Sequence, residues 1–141
     1  MGALSPEDRL EIHELLARRA YASDTADPAG WAETFTADGV LEQPPAELDL
    51  PGGASDLPST VAGRDALTEF LTGALPNIEG LRHVITNVFV DAAAGGATAR
   101  SYFHVLDSGR SVTVVTGRYT DTLERTDAGW RTSHLKVEMD A

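Results

Sequence analysis

Residues 81–89 read LRHVITNVF and have the composition of a β-strand, because four of the nine are β-branched and one is a phenylalanine. His83 and Asn87 interrupt this apolar stretch, four positions apart. Alternate residues of a strand share a face, so both side chains are expected on the same side. Both sides are too apolar for open water, and His83 and Asn87 therefore become candidates for a polar site that faces the rest of the chain.

The strand pattern continues to the end of the sequence. Turn sequences separate the apolar stretches at 94–96 (AGG), 107–110 (DSGR) and 127–129 (DAG), and these are typical of hairpin connections. We predict strands at 79–91, 96–107, 111–125 and 129–138. Strands joined consecutively by short turns indicate an antiparallel meander.

The first half of the chain predicts helices instead. Ser5 followed by Pro6 is a helix start, and apolar residues then recur at helical spacing until about Asp24. The Asp27–Pro pair repeats the start signal for a short helix that we extend through Phe35. A third helix is predicted from Gly63, with its buried stripe at 66, 67, 70 and 71.

Between the second and third helices, a turn precedes a strand that begins at Val40, and residues 44–59 are rich in Pro, Gly, Asp and Ser. This composition predicts a long surface loop, either a lid over a binding site or a plain insertion. Helices first and antiparallel strands afterwards predict an α+β fold, with helices packed on one face of a curved sheet. We find no linker or repeat, so residues 1–141 are expected to form one domain.

Charge and composition exclude several classes of function. Acidic residues outnumber Lys and Arg by 22 to 11, giving a net charge of −11, and such a surface repels the phosphates of a nucleic acid. The absence of cysteine removes disulfides and thiolate chemistry, and it fits a reducing cytoplasm. We see no signal-peptide pattern and no apolar run near the ~20 residues that span a bilayer, so we expect a cytoplasmic protein that does not enter membranes.

Five polar side chains fall on strand positions that could face inward: His83, Asn87, Tyr102, His104 and Tyr119. Buried imidazoles, amides and phenols each need a hydrogen-bond partner, so a core that only packs would not use them. They are either satisfied structural groups or exposed residues, or they belong to a functional pocket in which acid and base groups gather.

An acidic partner is available at the end of the first predicted helix. Asp24 lies three residues after Tyr21, so the two can share a helix face, and it lacks the obvious capping role that Asp27 has before Pro28. Trp31 and Phe35 follow on the second helix, where they either wall a pocket or pack the core.

The segments YASDTADPAGWAETFTADG, GRDAL, RHVITN and GRYTDTLERTDAGW resemble, in this order, the SnoaL-like branch of the NTF2-like (nuclear transport factor 2-like) superfamily. The resemblance runs from about Asp8 to Asp140. It implies a cone in which about three helices wrap a strongly bent, mainly antiparallel sheet and leave a deep pocket. The superfamily includes polyketide cyclases, scytalone dehydratase, ketosteroid isomerases and proteins that only bind small molecules.

The motif of the scytalone dehydratase-like group assigns roles to individual residues. The resemblance implies that Asp24 and His83 form an acid/base pair, and that a second histidine of that group corresponds to His104. Where the dehydratase motif has a tyrosine directly before its aspartate, this chain has Ser23, and Tyr21 is the nearest phenol.

The candidate residues predict an acid/base mechanism. An imidazole titrates near neutral pH, so His83 would shuttle a proton while Asp24 orients its ring. Tyr21, Tyr102 or Tyr119 would donate a hydrogen bond to an enolate oxygen, and Asn87 would orient the substrate.

We therefore expect a lyase or isomerase, without cofactor or metal, that acts on a hydrophobic carbonyl compound. The alternatives are a non-catalytic binding module with the same pocket and an accessory subunit that only builds an interface. An apolar outer sheet face predicts a homodimer.

Overall fold

The computed structural model describes residues 3–140 except 45–46, 51–52 and 57. The elements are α1 (Pro6–Asp24), α2 (Pro28–Glu33), β1 (Phe35–Glu42), β2 (Glu47–Leu50), β3 (Gly53–Asp56), β4 (Thr60–Ala62), α3 (Arg64–Ile78), β5 (Leu81–Ala93), β6 (Gly96–Asp107), β7 (Val112–Thr126) and β8 (Gly129–Met139).

One sheet of six strands has the spatial order β4-β1-β8-β7-β6-β5. Strands β5 to β8 form the predicted antiparallel meander, while β1 joins β8 in parallel and pairs with β4 on its other side. The helices pack against this curved, unclosed sheet, so the predicted α+β class is confirmed. Within the described residues, no helix is long and apolar enough to cross a membrane.

Helix α1 begins where the sequence predicted, because Ser5 and Asp8 form a reciprocal cap. The Ser5 hydroxyl accepts from the Asp8 amide at 3.0 Å, and the Asp8 carboxylate accepts from the Ser5 amide at 3.0 Å. The helix ends at Asp24. Its length therefore places Asp24 beside His83 of β5.

The core consists of two clusters. Helix α1 packs Ile12 and Leu16 against one end of the sheet, where Trp130 is also buried. Helices α2 and α3 pack over the other end, around Phe35 and Leu67. Each fully buried side chain of this size stabilises the fold by roughly 1.5–3 kcal/mol. The second group surrounds the cavity described below.

The structure corrects two local predictions between the second and third helices. Helix α2 ends at Glu33, and Phe35 is already the first residue of a strand, because it pairs with Thr132 of β8. The predicted loop at 44–59 contains the hairpin of β2 and β3. In both places pairing with a distant or neighbouring strand decides the conformation, and local composition does not reveal it.

Strand β5 has a bulge at Asn87, which the sequence did not predict. The register with β6 shifts between Thr86 and Phe89, and Asn87 has φ of 56°. Asparagine tolerates this left-handed conformation better than most residues. Side chains therefore change faces along the strand: Phe89 is 54% exposed, whereas its neighbour Val90 is buried. The expectation that His83 and Asn87 share a face was wrong for this reason.

Candidate functional site

Asp24 and His83 meet where α1 ends against β5. The Nδ1 atom of His83 lies 2.8 Å from Oδ1 of Asp24, and the His83 backbone N–H donates to both carboxylate oxygens at 3.1 Å. A carboxylate can only accept, so this contact favours the tautomer with the proton on Nδ1. The Nε2 atom is then left with a lone pair that can accept a proton.

His83 also lines a cavity of about 160 Å³ between the helices and the inner face of the sheet. Aromatic rings form much of its wall. Trp31 stacks on Phe70 with ring centroids 6.2 Å apart, and Phe103 stacks on Tyr119 at 4.4 Å. The polar side chains along the cavity are few: Arg19, Ser23, Gln43, Asn77, His83 and Tyr119. A mainly apolar cavity with a few polar groups is the usual form of a small-molecule site.

Tyr119 is held in the cavity wall by its neighbours. Its ring lies between Phe103 and the Arg19 guanidinium, which is 5.3 Å from the ring centroid. Burial raises the pKa of Tyr119 to about 12; the Arg19 charge opposes this shift, while Asp121 and Asp24 add to it. The phenol therefore stays protonated at neutral pH and is available as a hydrogen-bond donor.

Beneath Tyr119 lies a buried ion pair that the sequence analysis missed. Arg19 donates from Nη1 and Nη2 to the two oxygens of Asp121, at 2.5 and 3.1 Å, and Thr132 adds a third hydrogen bond to Asp121 at 2.8 Å. Burial alone would lower the pKa of Arg19, but the adjacent Asp121 carboxylate more than compensates and raises it. The pair therefore keeps both charges in a water-poor interior.

A signal for this pair was present in the sequence. Asp121 lies two positions after Tyr119 on the same strand, so strand alternation places both side chains on one face. Arg19 lies one helical turn before Ser23, on the face of α1 that turns toward the sheet. A lone arginine on a helix is usually exposed, however, so neither position by itself predicts that the two residues meet.

Two further predicted residues lie on the cavity side of the sheet but differ in their contacts. Trp31 lines the cavity. Phe35 is fully buried behind it, in an edge-to-face contact with the Trp31 ring at 5.1 Å, and it is not among the lining residues. Phe35 thus packs the core, which was one of its two expected roles.

Four other candidates lie away from the cavity. Tyr21 is 73% exposed, because it lies on the face of α1 opposite Arg19 and Ser23. Tyr102 and His104 are exposed on the outer sheet face, while Phe103 between them is buried.

Asn87 also faces outward, as a result of the bulge, beside Phe89 and Tyr102. The expectation that these four side chains belong to the site around His83 was therefore wrong, because none of them lines its cavity. His134, whose position the sequence left open, lies 3.4 Å from Glu42 and is part-exposed.

Solved structures of similar fold are numerous. A protein of unknown function with a cystatin-like fold from Nostoc punctiforme superposes with a TM-score of 0.82 at 24% identity, over 99% of this chain and 96% of that one. An NTF2-like protein with a cystatin-like fold from Novosphingobium aromaticivorans gives 0.72 at 26% identity, over 94% and 82%. A protein from Catenulispora acidiphila, solved in complex with S-DNPA, gives 0.75 at 24% identity, over 93% and 92%.

A search of proteins with curated functions found no match. The family comparison is more informative, because the model of the SnoaL-like domain matches residues 5–136. These likenesses show the fold, and the mainly apolar cavity has the form of a small-molecule site. With the family model covering nearly the whole sequence and the helix-wrapped sheet in agreement, this chain belongs to the SnoaL-like domain family.

Proposed function

We propose that the protein is a lyase or isomerase that needs no cofactor and acts on a hydrophobic carbonyl compound, with His83 as the acid/base and Asp24 as its partner. One observation carries the proposal: the imidazole that borders the apolar cavity has its Nδ1 atom 2.8 Å from a carboxylate. Such a partner orients the ring and stabilises the imidazolium when Nε2 takes a proton.

The first step is removal of a proton from the carbon next to the substrate carbonyl. The C–H bonding pair moves into the new C=C bond, the carbonyl π pair moves to oxygen, and the proton goes to Nε2 of His83. Tyr119 donates to the enolate oxygen, since its phenol is protonated and the site has a low dielectric. His83 and Tyr119 both line the cavity, which supports assigning the base and the donor to one site.

The same enolate leads to three outcomes. Return of the proton to a different carbon gives isomerisation, and transfer of it to a departing hydroxide gives loss of water. Attack of the carbanion on a second carbonyl gives ring closure, with the proton passing to the new alkoxide. All three need one base and one donor, which are the roles proposed for His83 and Tyr119.

The test is proton exchange on a model ketone. A suitable probe ketone is α-tetralone with a second benzene ring fused at the end remote from its carbonyl, because it is flat, apolar and enolisable. We expect the protein to exchange its α-protons for deuterium in D₂O faster than buffer does, as followed by proton NMR. Binding shown by quenching of Trp31 fluorescence, without faster exchange, would instead favour a non-catalytic binding module, which the same cavity supports. If the probe ketone shows no binding and no faster exchange, both functions are contradicted.

We further propose that two copies pair through the outer sheet face. Three large apolar side chains are exposed on the outer face: Val84, Phe89 and Tyr102, since Val84 pairs with His104 and Phe89 with Arg100. Exposed apolar residues clustered on one face are typical of an interface. Arg100, Arg118 and Glu138 lie around Phe89 and Tyr102 and can form its polar rim.

Tyr102→Glu is expected to turn the dimer into a monomer at micromolar concentration, because it buries an unpaired charge in the contact. The mass measured by sedimentation equilibrium should then fall from twice the 15.0 kDa mass of one chain to the mass of a single chain. Leu10→Glu is the matched control, since Leu10 is also an exposed apolar residue but lies on α1. A wild-type protein that sediments as a single chain would refute this pairing.

A further inference from the structure

Gln43 is a buried polar side chain in the cavity that the acid/base mechanism does not use. It follows β1 directly, is 7% exposed, and belongs to the cavity lining together with Leu41 and Val137. Its side-chain nitrogen donates to the Pro58 carbonyl at 2.9 Å. A carboxamide has two N–H donors and an oxygen acceptor, and within the described residues this is the one hydrogen bond that the group makes. As far as the described part of the chain extends, one donor and the acceptor oxygen are left for a ligand.

The sheet topology places Gln43 and His83 at opposite margins of the cavity. Gln43 follows β1, His83 lies on β5, and the order β1-β8-β7-β6-β5 puts four strand spacings between them. Each spacing is ~4.8 Å, so the two are separated by roughly 19 Å along the curved sheet, and by less across the cavity. Between them the wall is apolar and aromatic, through Leu135, Phe103 and Val105. A molecule that contacts both is elongated and apolar in its middle.

The charges around the cavity select an uncharged group at the Gln43 end. Arg19 is the cation among the described lining residues, and both of its terminal nitrogens already bind Asp121. A ligand carboxylate at this end would lose its hydration without gaining a counter-charge.

We propose that Gln43 is a substrate-positioning residue that hydrogen-bonds an uncharged oxygen at the end of the substrate farthest from the reacting carbonyl. The substrate is then an elongated aromatic or polycyclic ketone with a hydroxyl or a second carbonyl at its far end. This inference rests on the proposed function only for the place of the reacting carbonyl at His83. The hydrogen bond at Gln43 is inferred separately, from the burial of this side chain and its contact with Pro58.

The experiment compares three versions of the probe ketone: one with a hydroxyl on the ring farthest from the carbonyl, one without it, and one with a carboxylate there. Quenching of Trp31 reports binding, since Trp31 lines the cavity while Trp130 is buried in the other cluster. We expect the hydroxyl to tighten binding to the wild-type protein by about 3- to 10-fold, the usual net effect of one neutral hydrogen bond. The carboxylate should bind more weakly than either neutral ketone.

Replacing Gln43 by leucine should remove the advantage of the hydroxyl and leave the plain ketone bound as before. Leu41→Met is the matched control, because it should alter the affinity for all three ketones alike. Gln43→Met is the second variant in case the leucine variant does not fold, because methionine is unbranched, has about the length of glutamine and lacks an N–H donor; it should likewise remove the advantage of the hydroxyl. Circular dichroism checks that each variant is folded.

Equal affinity of the wild-type protein for the hydroxylated and plain ketones would overturn the role of Gln43, as would a hydroxyl advantage that survives Gln43→Leu. Tightest binding of the carboxylate would overturn the uncharged substrate class, and so would failure of all three ketones to bind. These readings need no turnover and can be repeated in His83→Ala. Failure of the proposed catalysis is therefore distinguishable from failure of the Gln43 contact.

Discussion

Replacing His83 by alanine is expected to slow deuterium exchange at the probe ketone by roughly 10²–10⁴-fold, the usual contribution of a positioned acid/base group. The fold should be retained, because the backbone N–H of His83 still donates to Asp24 and the imidazole leaves only a part-exposed gap. Exchange is followed by proton NMR, and retained binding by quenching of Trp31. A loss of exchange with unchanged affinity would identify a group that acts in the reaction and not in binding.

The other histidines supply the controls for this experiment. His104 lies on the outer sheet face and His134 lies beside Glu42, so neither His104→Ala nor His134→Ala should change the exchange rate. Asp24→Asn should slow exchange less severely than His83→Ala, because the amide loses the negative charge but keeps an oxygen for the His83 N–H. Exchange at the wild-type rate in His83→Ala would remove the proposed mechanism.

Replacing Asp121 by alanine is expected to destabilise the protein by about 3–5 kcal/mol, because it leaves the Arg19 charge buried without a partner. Thr132 loses the acceptor of its hydroxyl in the same step. For a chain of this size, the loss corresponds to a fall in melting temperature on the order of 10 °C. Urea unfolding followed by circular dichroism measures the free energy directly.

A double variant separates the lone charge from the loss of packing. Arg19→Met combined with Asp121→Leu removes both charges, and it should recover much of the stability that Asp121→Ala loses. Arg118 and Glu138 are the exposed comparison, 3.5 Å apart, and Glu138→Gln should cost less than about 1 kcal/mol. If Asp121→Ala lowers the free energy of unfolding by less than about 1 kcal/mol, water must reach the Arg19 guanidinium.

Local sequence was enough to predict most of the helices and long strands. The cap at Ser5, the turn at 94–96 and the turn at 127–129 each act over a few residues, so their conformations follow from the residues themselves. Phe35 and the hairpin strands β2 and β3 were misassigned because short segments adopt the conformation of the strand that pairs with them.

For the candidate site, the sequence singled out Asp24, His83 and Tyr119 through their motifs and strand positions. It could not distinguish them from Tyr102 and His104, which have the same functional groups but lie on the opposite face of the sheet. A single bulge or a change of one position reverses the direction of a side chain, so face assignments made from strand alternation fail after any irregularity.

The sequence by itself determined the order of the elements and the acidic net charge. It also placed His83 and Asp24 in segments that resemble the SnoaL-like motif. Only the tertiary structure decided which polar groups share the cavity. It brought Arg19 to Asp121 and Gln43 to the far margin of the wall that carries His83. The reason is physical: capping and turn formation depend on neighbours in the chain, whereas burial and ion pairing depend on distant segments that meet only when the sheet bends around its helices.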